Sequence, residues 1–141
     1  MSEPLLMVHT YKLADESAYR SRLTAWFDYI AGNHPHVLHH KVYVDEATGG
    51  IVNLQVHPGP ESMEKMLQLF MARMDEWAGL IEPDGNHVRI CGEPPQELVD
   101  KMSYGAGPGG LSVFHAARWL HTTPAPVSDD CQPGEHLPGT R

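Results

Sequence analysis

The sequence predicts a single α+β domain of the split βαβ kind: a four-stranded antiparallel sheet, two main helices on one face and a C-terminal extension. Three observations carry that prediction. Four short segments alternate apolar and polar residues, two longer segments repeat apolar residues every three to four positions, and turn residues stand at the junctions. The order is strand, helix, strand, strand, helix, strand, which lets both helices cover one face of the sheet.

Residues 5–11 form the first strand, an apolar-rich run ending at Lys12. Asp15 then caps a helix whose apolar positions Tyr19, Leu23, Trp26, Phe27 and Ile30 lie on one side until Gly32. Residues 36–45 return to extended character, Glu46-Ala47-Thr48-Gly49-Gly50 turns the chain, and residues 51–57 complete a hairpin. Pro58-Gly59-Pro60 suits a helix entry, after which Met63, Met66, Leu67, Phe70, Met74 and Trp77 mark one face of a second helix. This methionine-rich stripe reads as packing. Pro83-Asp84-Gly85-Asn86 makes a turn into a fourth strand at residues 87–91. Residues 94–102 suit a third short helix, and the glycine-rich run at 104–110 reads as a hinge, lacking the context of a phosphate-binding or dinucleotide loop. Residues 111–121 fit a strand and a short helix equally. The domain is expected to span residues 1–122, followed by a flexible proline-rich tail at 123–141.

A chain of 141 residues holds one ordinary core, and Trp26, Trp77 and Trp119 supply bulk for it. Eighteen acidic against ten basic residues give a net charge of -8, which disfavours nucleic acid and anionic membranes as partners. The sequence lacks an apolar run of membrane-spanning length and a secretory start, so a cytoplasmic location is expected. Two cysteines, Cys91 and Cys131, are too few for a disulfide framework or a four-thiolate metal site.

Strand alternation sorts side chains between faces. With Leu6, Val8, Leu38, Val42, Val44, Val52, Leu54, Val56, Val88 and Ile90 toward the helices, that side is wholly apolar. The other side then carries His9 and Tyr11, His39, Lys41 and Tyr43, Asn53, Gln55 and His57, and His87 and Arg89, with no carboxylate. The topology makes the first and third strands central, so His9 is expected between Arg89 and Asn53 or Gln55. Such a set of donors suits an anion, a phenolate or an enolate. The plainer account is a polar face satisfied by water or by a partner subunit.

The order of elements, with the stretches Leu5-Leu6-Met7-Val8-His9-Thr10-Tyr11 and Lys41-Val42-Tyr43-Val44 to Ile51-Val52-Asn53-Leu54, resembles the dimeric α+β barrel superfamily. Within it, the antibiotic-biosynthesis-monooxygenase-like domains are the nearest in kind. The resemblance covers residues 5–91 and implies a ferredoxin-like fold and a homodimer with sheets face to face. It also implies a cavity between each sheet and its helices, so that Trp26, Phe27, Phe70 and Trp77 become lining residues. Known members include cofactor-independent oxygenases, cyclases, haem-degrading proteins and isomerases. The haem-degrading pattern fails here: His9 or Tyr11 stands where its first-strand Asn is expected, and no His follows Trp77 within residues 78–85. The extension beyond Cys91 is expected to cross to the partner or close a pocket with His115, Trp119 and His121.

The resemblance implies oxygenase or cyclase chemistry on an aromatic, polyketide-like molecule, without a cofactor or metal. His9 is then the base, because imidazole titrates near neutrality. Tyr11 is a proton or hydrogen-bond donor and Arg89 stabilises negative charge, while Asn53 and Gln55 orient oxygen atoms. His39, His57, His87, Trp26, Phe70 and Trp77 complete the candidate ligand site. A noncatalytic binding domain for a hydrophobic or aromatic molecule uses the same cavity. A metal enzyme would draw on His9, His39, His57 and His87, without a helical His-x-x-x-His motif or a carboxylate to support it. Serine hydrolysis lacks its Gly-x-Ser-x-Gly elbow, and nucleic-acid binding lacks a basic-aromatic motif.

Overall fold

A computed structural model describes residues 3–34, 36–106 and 110–117. The strands are β1 (Leu5–Lys12), β2 (His39–Asp45), β3 (Gly50–His57), β4 (His87–Cys91) and β5 (Leu111–Phe114); the helices are α1 (Glu16–Asn33), α2 (Pro60–Met71) and α3 (Gln96–Ala106). The sheet runs β2-β3-β1-β4-β5, with β5 parallel to β4 and every other pair antiparallel. This is a ferredoxin-like α+β fold with a mixed five-stranded sheet and three helices. The expected four-stranded sheet gains a fifth strand at residues 111–114, in the segment that fitted a strand and a helix equally, and the third helix expected at 94–102 runs over residues 96–106. The tail, Trp119 and His121 lie outside the described residues.

Local signals explain most boundaries. The Asp15 carboxylate accepts a hydrogen bond from the Ala18 backbone N–H at 3.1 Å, satisfying one of the unpaired donors that open α1. Proline at the start of α2 lacks an N–H that the first turn has no use for. The second helix does not continue to Trp77 as its apolar spacing suggested. It stops at Met71, and the chain tightens into a 3-10 turn at Met74–Trp77. That turn brings the Trp77 ring to 5.8 Å from Tyr19 and 6.1 Å from Trp26, both on α1, in edge-on contacts typical of buried aromatic pairs.

Strand pairing decides the faces. His9 pairs with Asn53 and Val88, and Val8 pairs with Leu54 and Arg89. The residues in register with His9 include buried Leu5, Met7, Tyr11, Ile51, Gln55, His57, Val88 and Ile90, so theirs is the face under the helices. The expected sorting is therefore reversed in β1 and β3, while β2 and β4 keep theirs. Leu6, Val8, Val52, Leu54 and Val56 point away from the helices, beside Arg89, His87, His39 and Tyr43. On that outer face Val52 is 38% exposed and Phe114, at its β5 edge, 51%.

Two apolar clusters hold the helices to the inner face. One joins Leu5, Met7 and Ile90 to Met63 of α2 and Leu98 and Met102 of α3. The other joins Tyr11 and Ile51 to Tyr19, Trp26 and Ile30 of α1, Met66 of α2 and Trp77. They do not merge, and a cavity lies between them.

Candidate functional site

The cavity has a volume of about 490 Å³, within the range of small-molecule sites. Sheet residues Met7, His9, Tyr11, Asn53 and Gln55 form one wall; Trp26, Met63, Met66, Phe70 and Trp77 form much of the other. Of the residues singled out from sequence, His9, Tyr11, Asn53, Gln55, Trp26, Phe70 and Trp77 come together here. Arg89, His39 and His87 do not, because their strand positions place them on the outer face. There the Arg89 guanidinium donates to Thr10 Oγ1 at 3.1 Å, and the His87 ring bonds Ser112 Oγ at 2.9 Å. The expected grouping of His9, Asn53 and Arg89 is thus broken, since Arg89 lies across the sheet from the other two.

His9 sits mid-strand with its Nε2 against Asn86 Oδ1. With that carbonyl accepting, the ring proton is on Nε2 and Nδ1 keeps its lone pair. Burial lowers the pKa of His9, and the bond to Asn86 opposes this only in part. A neutral imidazole results. Asn86 was read from sequence only as a turn residue. Its signal was parity: it shares a strand face with Val88, and Gly85, at φ +81°, bends the backbone before it in a region that favours glycine.

The His9 ring centroid lies 4.6 Å from that of Tyr11. The Tyr11 and Tyr19 hydroxyls bond each other at 2.6 Å. Burial chiefly, and then Tyr19, push the Tyr11 pKa far upward, against a smaller opposing effect from Asn53. Tyr11 is therefore a phenol at any working pH, a donor and not a base. Asn53 Oδ1 and Trp77 Nε1 are buried without hydrogen-bond partners, a lone acceptor and a lone donor on two cavity-lining side chains. Such groups are costly unless water or a ligand reaches them.

Behind the cavity wall runs a buried polar chain. His34 Nε2 donates to the Ser62 carbonyl at 2.8 Å, the Ser62 hydroxyl meets His57 Nδ1 at 2.7 Å, and His57 Nε2 meets Gln55 Oε1 at 2.9 Å. With Gln55 accepting, its amide NH₂ is the end left for the cavity. His57, expected as a ligand contact, is instead a fully buried support for Gln55. Burial, then the charges of neighbouring His34 and His40, lower the pKa of His57 to about 4; burial also lowers that of His40 to about 4. The four histidines considered for a metal are split, His9 and His57 inside, His39 and His87 outside. Among the described residues no three His, Cys, Asp or Glu side chains are placed to hold an ion.

Comparison with solved structures gives MupZ from Pseudomonas fluorescens, with a TM-score of 0.60 and 12% identity over 90% of this chain and 100% of that one. It also gives SnoaB, a cofactor-independent oxygenase from Streptomyces nogalater, with a TM-score of 0.54 and 11% identity over 67% of this chain and 96% of that one. The chain has the fold of MupZ and SnoaB. No family model matches it, and no curated protein does. At this identity the likeness is one of architecture, and activity has to be argued from the cavity. Among the described residues no helix is long and apolar enough to cross a membrane.

Proposed function

We propose that the cavity is the active site of a cofactor-independent monooxygenase or cyclase for an aromatic, polyketide-like substrate, and that the protein works as a homodimer. The observation that carries this reading is a neutral, buried His9 beside Tyr11 and Asn53 in an aromatic-walled cavity. A fused-ring molecule would lie against Trp26, Phe70 and Trp77. His9 Nδ1 removes a proton from an acidic ring carbon or phenol, and the Gln55 NH₂ holds the oxygen on which charge collects while Asn53 Oδ1 accepts from a ligand hydroxyl. In the oxygenase case the carbanion of a CH₂ carbon passes one electron to O₂ and recombines with it. The peroxide anion then takes the proton back from His9, and the resulting hydroperoxide loses its remaining C–H proton and hydroxide, together water, to leave a carbonyl. The fold shared with SnoaB supports this reading.

The outer sheet face supports the dimer: Leu6, Val8, Leu54 and Val56 form a continuous apolar surface with none of the described helices over it. A second copy, sheet to sheet, would cover it.

A binding protein without turnover is the second reading, favoured by the absence of any Lys or Arg among the described lining residues to hold an oxyanion. Turnover of an anthrone, followed by oxygen uptake and quinone formation, separates the two. His9→Gln keeps a bond to Asn86 and removes the base, and it is expected to lower kcat by about 10²-fold or more. Unchanged kcat in a folded His9→Gln protein removes His9 as base, and no oxygen uptake by the wild type across a panel of anthrones and naphthols leaves the binding reading.

A further inference from the structure

The cavity's charges differ from those expected on sequence grounds. Arg89 was to supply a cation beside His9, but it faces away. Among the described lining residues the acidic side chains are Asp75 and Glu82, and none is Lys or Arg. The polar groups on the sheet wall, at Asn53, Gln55, Tyr11 and Asn86, are neutral, and the unpartnered atoms Asn53 Oδ1 and Trp77 Nε1 offer one acceptor and one donor.

We propose that this cavity selects uncharged aromatic ligands and discriminates against their carboxylated counterparts, with Asp75 and Glu82 as the selecting residues. The inference rests on the aromatic-substrate reading above and narrows it. A carboxylate entering the site gives up water for apolar walls and neutral dipoles and meets no cation among the described lining residues. It also approaches two acidic side chains, exposed Asp75 and half-buried Glu82, whose like charge opposes its entry. A carboxamide of the same size suffers neither penalty, and its carbonyl and NH₂ match the neutral donors and acceptors present. Arg22 and Arg73 do not reverse this, because both are engaged with Glu76 outside the lining, at 3.5 and 3.3 Å. His9 adds no positive charge near neutral pH, since burial keeps it neutral.

The test uses a matched pair, 1,8-dihydroxyanthraquinone-3-carboxamide and 1,8-dihydroxyanthraquinone-3-carboxylate, titrated into the full chain at pH 7.5 and followed by calorimetry. The carboxamide is expected to bind at least ~10-fold more tightly, the scale of one uncompensated charge contact. In an Asp75→Asn, Glu82→Gln double variant the ratio between the two ligands should shrink several-fold, with carboxamide binding serving as the check that the cavity is intact. Equal or tighter binding of the carboxylate by the wild type overturns the charge selection and leaves the aromatic site standing. An unchanged ratio in the double variant removes Asp75 and Glu82 as its cause. Failure of both anthraquinones to bind removes the aromatic-substrate reading itself, and this inference with it.

Discussion

Along β1 and β3 the inner face of the sheet sets polar side chains among the buried Leu5, Met7 and Ile51, while the outer face is largely apolar. Under the helices, β1 and β3 present His9, Tyr11, Asn53, Gln55 and His57; toward the outside the same strands present Leu6, Val8, Val52, Leu54 and Val56. A one-sided sheet in water normally has the opposite arrangement. The inner polarity persists because it is hydrogen-bonded, through His9 to Asn86, Tyr11 to Tyr19 and Gln55 through His57 to Ser62, or because it borders a cavity. The outer apolarity makes sense for a surface built to be covered. The difference teaches that alternation reports how many kinds of surroundings a strand has, and only packing tells which side is which.

The largest expected effect tests the outer face. Leu54→Asp should convert the proposed homodimer to monomers in light scattering while leaving the circular dichroism spectrum in place. An unpaired charge buried at an interface costs roughly 3–5 kcal/mol. A symmetric interface incurs that cost twice. The mass of a dimer at micromolar concentration for this variant would show that the apolar face is not the contact.

A smaller effect tests the inner face through pH. His57 is fully buried and titrates near 4 in the folded protein, as does His40, against 6.5 for an ordinary histidine. The unfolded chain therefore takes up protons first as pH falls. The contribution of these groups is complete above about pH 6.5, declines between 6.5 and 4, and changes no further below that window. Between pH 7.5 and 5, urea unfolding should show a loss of roughly 2 kcal/mol per histidine. His57→Gln should flatten that dependence. Equal slopes in wild type and variant would mean that burial does not hold His57 neutral.

Much of the architecture was legible in the sequence. Asp15, Pro60 and Pro83-Asp84-Gly85-Asn86 punctuate the chain where α1, α2 and β4 begin, and the hairpin of β2 and β3 follows from its turn. Strand order alone put His9 beside Asn53. The faces were not legible, because Leu5, Leu6, Met7 and Val8 are all apolar and Ile51 is followed by Val52, so neither central strand signals which side meets the helices. Only the register, Val8 opposite both Leu54 and Arg89, separates Arg89 from His9. The end of α2 was hidden for a related reason: Trp77 keeps helical spacing with Met63 and Phe70, yet reaches α1 through a tighter turn. Asn86 looked like turn chemistry until its strand parity was known.

Which face receives the ligand is the point on which the rest depends, and a crystal structure of the full chain with 1,8-dihydroxyanthraquinone-3-carboxamide tests it most directly. The rings should lie against Trp26, Phe70 and Trp77 under the helices, with a ligand oxygen in hydrogen-bond reach of His9 or Asn53. Rings stacked on the outer face against Arg89 and His87, with the inner cavity vacant, would contradict that placement.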